Sequence, residues 1–150
     1  MKTLLLVDDD SAVRRMLSRL LSEEHYHVLT AGNGVEGIDV AHSNSVDLVL
    51  LDLNLPMKDG WDTFERLTTE NPLLPVVIIT ARSNQIFPAL ASGAGALMEK
   101  PLDLPNLLQT IRDLLNEPVA VRLARMAGKP ASFRYLPKKQ EVAAGASEPK

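Results

Sequence analysis

The chain contains no cysteine, which excludes disulfide frameworks and thiolate metal centres. No apolar run approaches the ~20 residues needed to span a bilayer. The opening "MKTLLLV" is cut short by "DDD", far below the length of a secretory leader. Basic excess is also missing: 16 Lys and Arg stand against 19 Asp and Glu, a net charge of -3 with a pI near 5.6. That balance argues against direct nucleic-acid binding and against a membrane partner. No glycine-rich loop follows the first apolar segment, so nothing marks a nucleotide-binding phosphate loop. The expected compartment is the reducing cytoplasm.

Apolar content, by contrast, is ample. Of the 150 residues, 45% are hydrophobic, enough for a sizeable core in one domain with a tail. Strand-length runs "TLLLV", "HVLTA", "DLVLLDL", "VVIIT" and "GALME" alternate with longer stretches of helical period. This alternation predicts repeated βα units around a parallel sheet. In "DDDSAVRRMLSRLLSEE" the apolar residues Val13, Met16, Leu17, Leu20 and Leu21 share one helical face, with Asp10 or Ser11 as N-cap. "NGVEGIDVAHS" and "DGWDTFERLTTE" predict a second and third helix, the latter burying Trp61, Phe64 and Leu67. The last helix lies in "LDLPNLLQTIRDLLNEP", with Asp103 as cap, Pro105 in the first turn and Pro118 as stop.

Strands that are apolar throughout are those of a sheet covered on both faces. The expected fold is therefore α/β: a doubly wound, five-stranded, flavodoxin-like parallel sheet of order 2-1-3-4-5, with its crevice where strands one and three part. Residues 1–117 form this domain. Residues 118–150 differ in composition: seven Lys or Arg against Glu141 and Glu148 give them a net charge of +5, leaving -8 on the body. Too short to enclose a core, this basic segment is expected to be disordered or a short docking segment. It is also able to lie back across the acidic body.

Polar residues end the apolar runs at one rim. Asp8 and Asp9 follow the first strand, Asp52 ends the third, Thr80 the fourth, and Lys100 follows the fifth. A lone Asp after a strand is usually a cap or solvated loop residue, but three converging carboxylates are costly. Two of them ~4 Å apart repel by about 4 kcal/mol at an effective dielectric of 20. A cation resolves this, and the candidates are Lys100 and a bound metal. An oxygen-only set in an open crevice favours Mg²⁺, whereas His25, His27 and His42 lie elsewhere and make zinc a poor fit.

At this point "LLLVDDDSAVRRML", "DLVLLDLNLPMKDG", "VVIITA" and "EKPLD" together resemble the receiver domain of bacterial two-component response regulators, of the stand-alone, chemotaxis-regulator-like kind, over about residues 3 to 116. The resemblance implies that Asp52 accepts a phosphoryl group from a histidine kinase, a phosphotransfer protein or a small phosphodonor. It implies Mg²⁺ on Asp8, Asp9, Asp52 and the backbone carbonyl of Asn54. It further implies phosphoryl contacts from Thr80 and Lys100, a cis bond between Lys100 and Pro101, and output through a separate effector protein. The chemistry suits these residue types: a carboxylate forms an acyl phosphate, while Mg²⁺ and Lys⁺ neutralise the charge on the transferring oxygens.

Two other readings compete. A haloacid-dehalogenase-like phosphatase also uses an aspartyl phosphate, but its second Asp, the proton carrier, is replaced here by Asn54. A phosphorylation-independent docking module with a receiver fold would not need the full set of five rim residues.

The chain departs from the family between "VVIITA" and "EKP". Pro88 predicts a fourth helix that starts late, near Phe87 or Pro88, and is about a turn shorter, since proline is tolerated only in a first turn. Its exposed surface would include Arg82, Gln85 and Ile86. The switch pair implied by the family is Thr80 with an inward-turning aromatic, and that second position is Leu97 here. Asn54 and Arg82 stand where the family tunes phosphoryl lifetime.

Overall fold

A computed structural model describes residues 1–129 and 132–139. Its elements run β1 (Thr3–Val7), α1 (Ser11–Glu23), β2 (His27–Ala31), α2 (Gly34–Ser43), β3 (Leu48–Asp52) and α3 (Gly60–Glu70). They continue with β4 (Val76–Thr80), α4 (Ile86–Ser92), β5 (Ala96–Glu99), α5 (Leu104–Asn116), α6 (Val119–Met126) and β6 (Arg134–Leu136). All strands pair in parallel, in the order β2-β1-β3-β4-β5-β6.

Side-chain alternation along each strand divides the core between the two faces of the sheet. Leu4, Leu6, Leu48, Leu50, Val77 and Ile79 pack with Leu17 and Leu21 of α1 and with Leu107, Ile111 and Leu114 of α5. Leu5, Val7, Val49, Leu51, Ile78 and Leu97 pack on the other face with Phe64 and Leu67 of α3 and Ala89 of α4. Each fully buried Leu or Ile contributes roughly 1.5–3 kcal/mol over its exposed state. Helix ends follow local chemistry: Asp10, Asn33, Asp59 and Asp103 accept backbone N–H groups at the starts of α1, α2, α3 and α5. Met16 departs from the expected buried face and is 46% exposed. Trp61 is only half buried, and packs edge-on against Phe64 with ring centres 5.6 Å apart.

The fourth helix is short, as its proline dictates. α4 spans seven residues, opens at Ile86, and holds Pro88 in its first turn, where the missing N–H costs nothing. Gly93, at φ 83, ends it in the left-handed conformation that glycine adopts without strain.

The sheet has six strands where five were expected. An edge strand presents unpaired backbone groups, and β6 satisfies part of those on β5: Ala96, Leu97 and Met98 stand opposite Arg134, Tyr135 and Leu136. The described part of the basic segment therefore forms a helix and a strand laid along the body. A segment too short to enclose its own core is here ordered against a neighbour's edge. Side chains clasp it there. Arg134 pairs with Asp113 at 2.5 Å, Tyr135 donates to Glu99 at 2.9 Å, and Arg125, 4% exposed, grips both oxygens of Glu117. The Lys139 N–H donates to the Pro101 carbonyl at 2.9 Å. Residues 130–131 and 140–150 of that segment lie outside the described residues.

Candidate functional site

Because β1 and β3 are neighbours in a parallel sheet, their carboxyl ends emerge together. Asp8 is fully buried there, Asp52 is 3% exposed, and Asp9 faces solvent. One oxygen from each lies within 4.8 Å of the others. Backbone donors fix the two buried carboxylates: the Asp10 N–H reaches Asp8 Oδ1 at 2.9 Å, and the Asn54 N–H reaches Asp52 Oδ1 at 3.0 Å. Arg14, which no sequence motif singles out, donates from Nη1 to the Asp8 carbonyl at 2.6 Å.

Lys100 enters from the end of β5. Its Nζ donates to Asp8 Oδ2 at 2.8 Å and to Asp52 Oδ2 at 2.9 Å. Burial raises the Asp52 carboxyl above its ordinary range; the Asn54 N–H and Lys100 act in the opposite direction without cancelling it, and the Asp8 charge adds to the rise. Burial acts against the Lys100 ammonium, but hydrogen bonds to Asp8 and Asp52 outweigh it and raise that group. One ammonium is bonded to two of the three carboxylates, so the cluster is short of positive charge, and its all-oxygen donor set fits a hard divalent cation.

Thr80 is buried at the end of β4, where its Oγ1 accepts the Arg82 N–H at 3.0 Å. Asn54 is exposed and begins the loop into α3. That loop is tight: a Cβ at Gly60 would lie 2.2 Å from Leu53 Cα, so only glycine lets α3 start there. The Lys100–Pro101 peptide bond is cis. Leu97 is not brought to this rim. It is fully buried in the core beneath α4.

Arg82 and Gln85 do not form an exposed face on α4. They precede it and reach across to α3: Arg82 Nη2 donates to Asp59 Oδ1 at 2.9 Å, and Trp61 Nε1 donates to Gln85 Oε1 at 2.9 Å. Ile86 packs against the core. Burial acts to raise the Asp59 carboxyl, but the Arg82 guanidinium and the Trp61 and Gly60 N–H groups outweigh it and hold the carboxyl below its usual range. In the sequence Asp59 stands only as the residue before Gly60 in "MKDG", which says nothing of Arg82.

Residues 4–112 match the family described as the response regulator receiver domain. The chain is 39% identical over 114 residues to the response regulator MprA of Mycobacterium sp. strain KMS, which covers 75% of this chain and 50% of that protein. It is 37% identical over 116 residues to the transcriptional regulatory protein GlrR of Escherichia coli K12, 76% of this chain and 26% of that one. The chain thus spans between a quarter and a half of the length of these relatives. Among solved structures it resembles a CheY-like receiver domain protein from Methanospirillum hungatei (TM-score 0.73, 29% identity, 77% of this chain and 94% of that one). It also resembles the response regulator TrrA from Thermotoga maritima in complex with Mg²⁺ and BeF (TM-score 0.71, 28% identity, 76% and 99%). The sheet order, the carboxylate rim and these likenesses agree: the chain belongs to the response regulator receiver domain family, the phosphorylation-dependent signalling modules of two-component systems.

Proposed function

We propose that residues 1–117 are a receiver in which Asp52 is the phosphoacceptor, serving a histidine kinase, a phosphotransfer protein or a small phosphodonor in the cytoplasm. The observation that carries this reading is the Lys100 ammonium, which bridges Asp8 and Asp52 at the open ends of β1 and β3. An Asp52 carboxylate oxygen forms the new bond to phosphorus as the donor's bond breaks and the donor keeps the electron pair. Lys100 and the Thr80 hydroxyl then bind the phosphoryl oxygens, where positioned charge is worth most in a partly dry crevice. Asp8, Asp9, Asp52 and the backbone carbonyl of Asn54 would hold Mg²⁺, which when bound neutralises negative charge on the transferring oxygens. The TrrA complex with both Mg²⁺ and BeF supports that pairing.

Output is partner binding by a separate effector rather than turnover. A position two residues after Asp52 that carries Asn54 has no carboxyl to shuttle a proton.

The test is incubation with Mg²⁺ and acetyl phosphate, or with beryllofluoride. The protein gains a phosphoryl label or changes Trp61 emission, because Trp61 is bonded to the β4–α4 loop that Thr80 begins. Asp52→Asn abolishes both responses. A wild type silent to a competent donor would replace this reading with a phosphorylation-independent docking module, and sustained phosphoester hydrolysis would replace it with a phosphatase.

A further inference from the structure

We infer that Asp59 is a positioning residue that withholds Arg82 from the phosphoryl site and thereby shortens the life of the phosphorylated state. The inference rests on the reading of Asp52 as phosphoacceptor.

Asp59 is tied to the start of α3, and Arg82 reaches it from the β4–α4 connection. The Asp59 carboxylate caps α3, its Oδ2 accepting the Trp61 N–H at 3.0 Å, while the next residue, Gly60, donates its N–H to the Leu53 carbonyl at 3.0 Å. Arg82 lies in a connection without regular structure, and its guanidinium reaches Asp59 Oδ1 at 2.9 Å. Three residues on, Gln85 makes the second tie, to Trp61. The pair therefore clasps the β4–α4 connection to the N-terminus of α3.

The Arg82 backbone is nonetheless bonded to the reactive rim. The Arg82 N–H donates to Thr80 Oγ1 at 3.0 Å. A phosphoryl group on Asp52 would add negative charge and strong acceptor oxygens there, and planar guanidinium is well matched to such oxygens. Asp59 and the phosphoryl group thus compete for one cation. While Asp59 holds it, the face of phosphorus opposite the Asp52 oxygen stays open to water. Once the Asp59 charge is removed, Arg82 is free to cover the phosphoryl oxygens and to obstruct in-line attack.

The test compares wild type, Asp59→Asn, Arg82→Gln and the double variant, each full length, phosphorylated with acetyl phosphate and Mg²⁺ and then freed of donor. Asparagine keeps the cap and loses the charge; unchanged Trp61 emission before phosphorylation verifies that α3 is intact. For a half-exposed ion pair the expected effect is modest. Asp59→Asn lengthens the lifetime of the phosphoryl label about two- to five-fold, and the same change in the Arg82→Gln background leaves it unaltered. Arg82→Gln alone, which touches no cap, does not lengthen the lifetime, because it removes the cation that would cover the phosphoryl oxygens. A shorter or unchanged lifetime in Asp59→Asn overturns the inference, as does an equal change in both backgrounds or a lengthened lifetime in Arg82→Gln. A labelled wild type with no such coupling overturns this inference alone; an unlabelled wild type overturns it together with the reading of Asp52.

Discussion

Tyr135 stands opposite Leu97 in the register of β6 on β5, and its hydroxyl donates to Glu99 Oε1 at 2.9 Å. Leu97 is sealed in the core and carries no polar tip, so nothing draws it between core and solvent. The aromatic hydroxyl absent from that position is present one strand away, bonded to the residue that precedes Lys100. Ionising Tyr135 breaks this bond beside a carboxylate; the hydrogen bond to Glu99, with burial and the Glu99 charge, raises the phenol above its ordinary 10.0. Stability from this bond is complete below pH 10.0 and is lost as pH rises through the raised value. In an alkaline absorbance titration, Tyr135→Phe removes one of two late tyrosine steps and leaves that of Tyr26, whose phenol burial also raises. Glu99→Gln moves the Tyr135 step back toward 10.0.

Lys100→Met tests the charge shortage directly. The change leaves two buried carboxylates without their shared cation, a loss of about 3–5 kcal/mol for a buried pair, reduced here to about 2–3 kcal/mol because the Lys100 side chain is 22% exposed. Urea unfolding should show the lowered midpoint. Millimolar Mg²⁺ should recover more stability in the variant than in wild type, since no ammonium then competes for the same oxygens.

Mg²⁺ affinity should fall on acidification earlier than for an ordinary aspartate site. Burial raises the Asp52 carboxyl above 3.8, and a cation binds only the ionised form, so protons compete from a higher pH downward. The sign is fixed: lowering pH through the raised value weakens binding, and raising pH well above it restores binding in full. Trp61 emission titrated with Mg²⁺ at several pH values measures this. Asp52→Asn should both weaken binding and flatten its dependence on pH in that window.

The parts that were legible in the sequence are those whose chemistry is local. β1 and β4 are nearly unbroken aliphatic runs, and each of the rim residues interrupts or follows such a run, so fold and cluster could be read together. Pro88 gave the start of α4 to within about two residues. Contacts between distant segments were not legible. Arg82 and Asp59 are 23 positions apart, and each has a sufficient local reading as loop cation and helix cap. β6 is only three residues long and takes its order from the β5 edge. α6 inverts the usual pattern: Arg125 is buried while Val119 and Leu123 are more than half exposed, so its periodicity points to the wrong face.

That inverted helix yields the last prediction. Arg125 holds Glu117 through Nη1 at 3.0 Å and Nη2 at 2.5 Å, and its Nη1 also reaches Ser132 Oγ at 3.4 Å, so one guanidinium joins the end of α5, α6 and the approach to β6. The Met126 Cα lies 3.4 Å from a Cβ built on Gly93, so α6 also closes over the end of α4. Arg125→Ala leaves Glu117, 10% exposed in its side chain, with Arg122 alone at 3.4 Å. Removing one partner of a buried pair costs more than the pair itself contributes, because the remaining charge stays desolvated. The loss should be local. Amide exchange quickens across 119–126 and 134–136, while β1, β3 and β4 keep their protection, since their hydrogen bonds lie inside the two core layers. Uniform loss of protection through β1, β3 and β4 would show instead that α6 and β6 are an integral part of the receiver core.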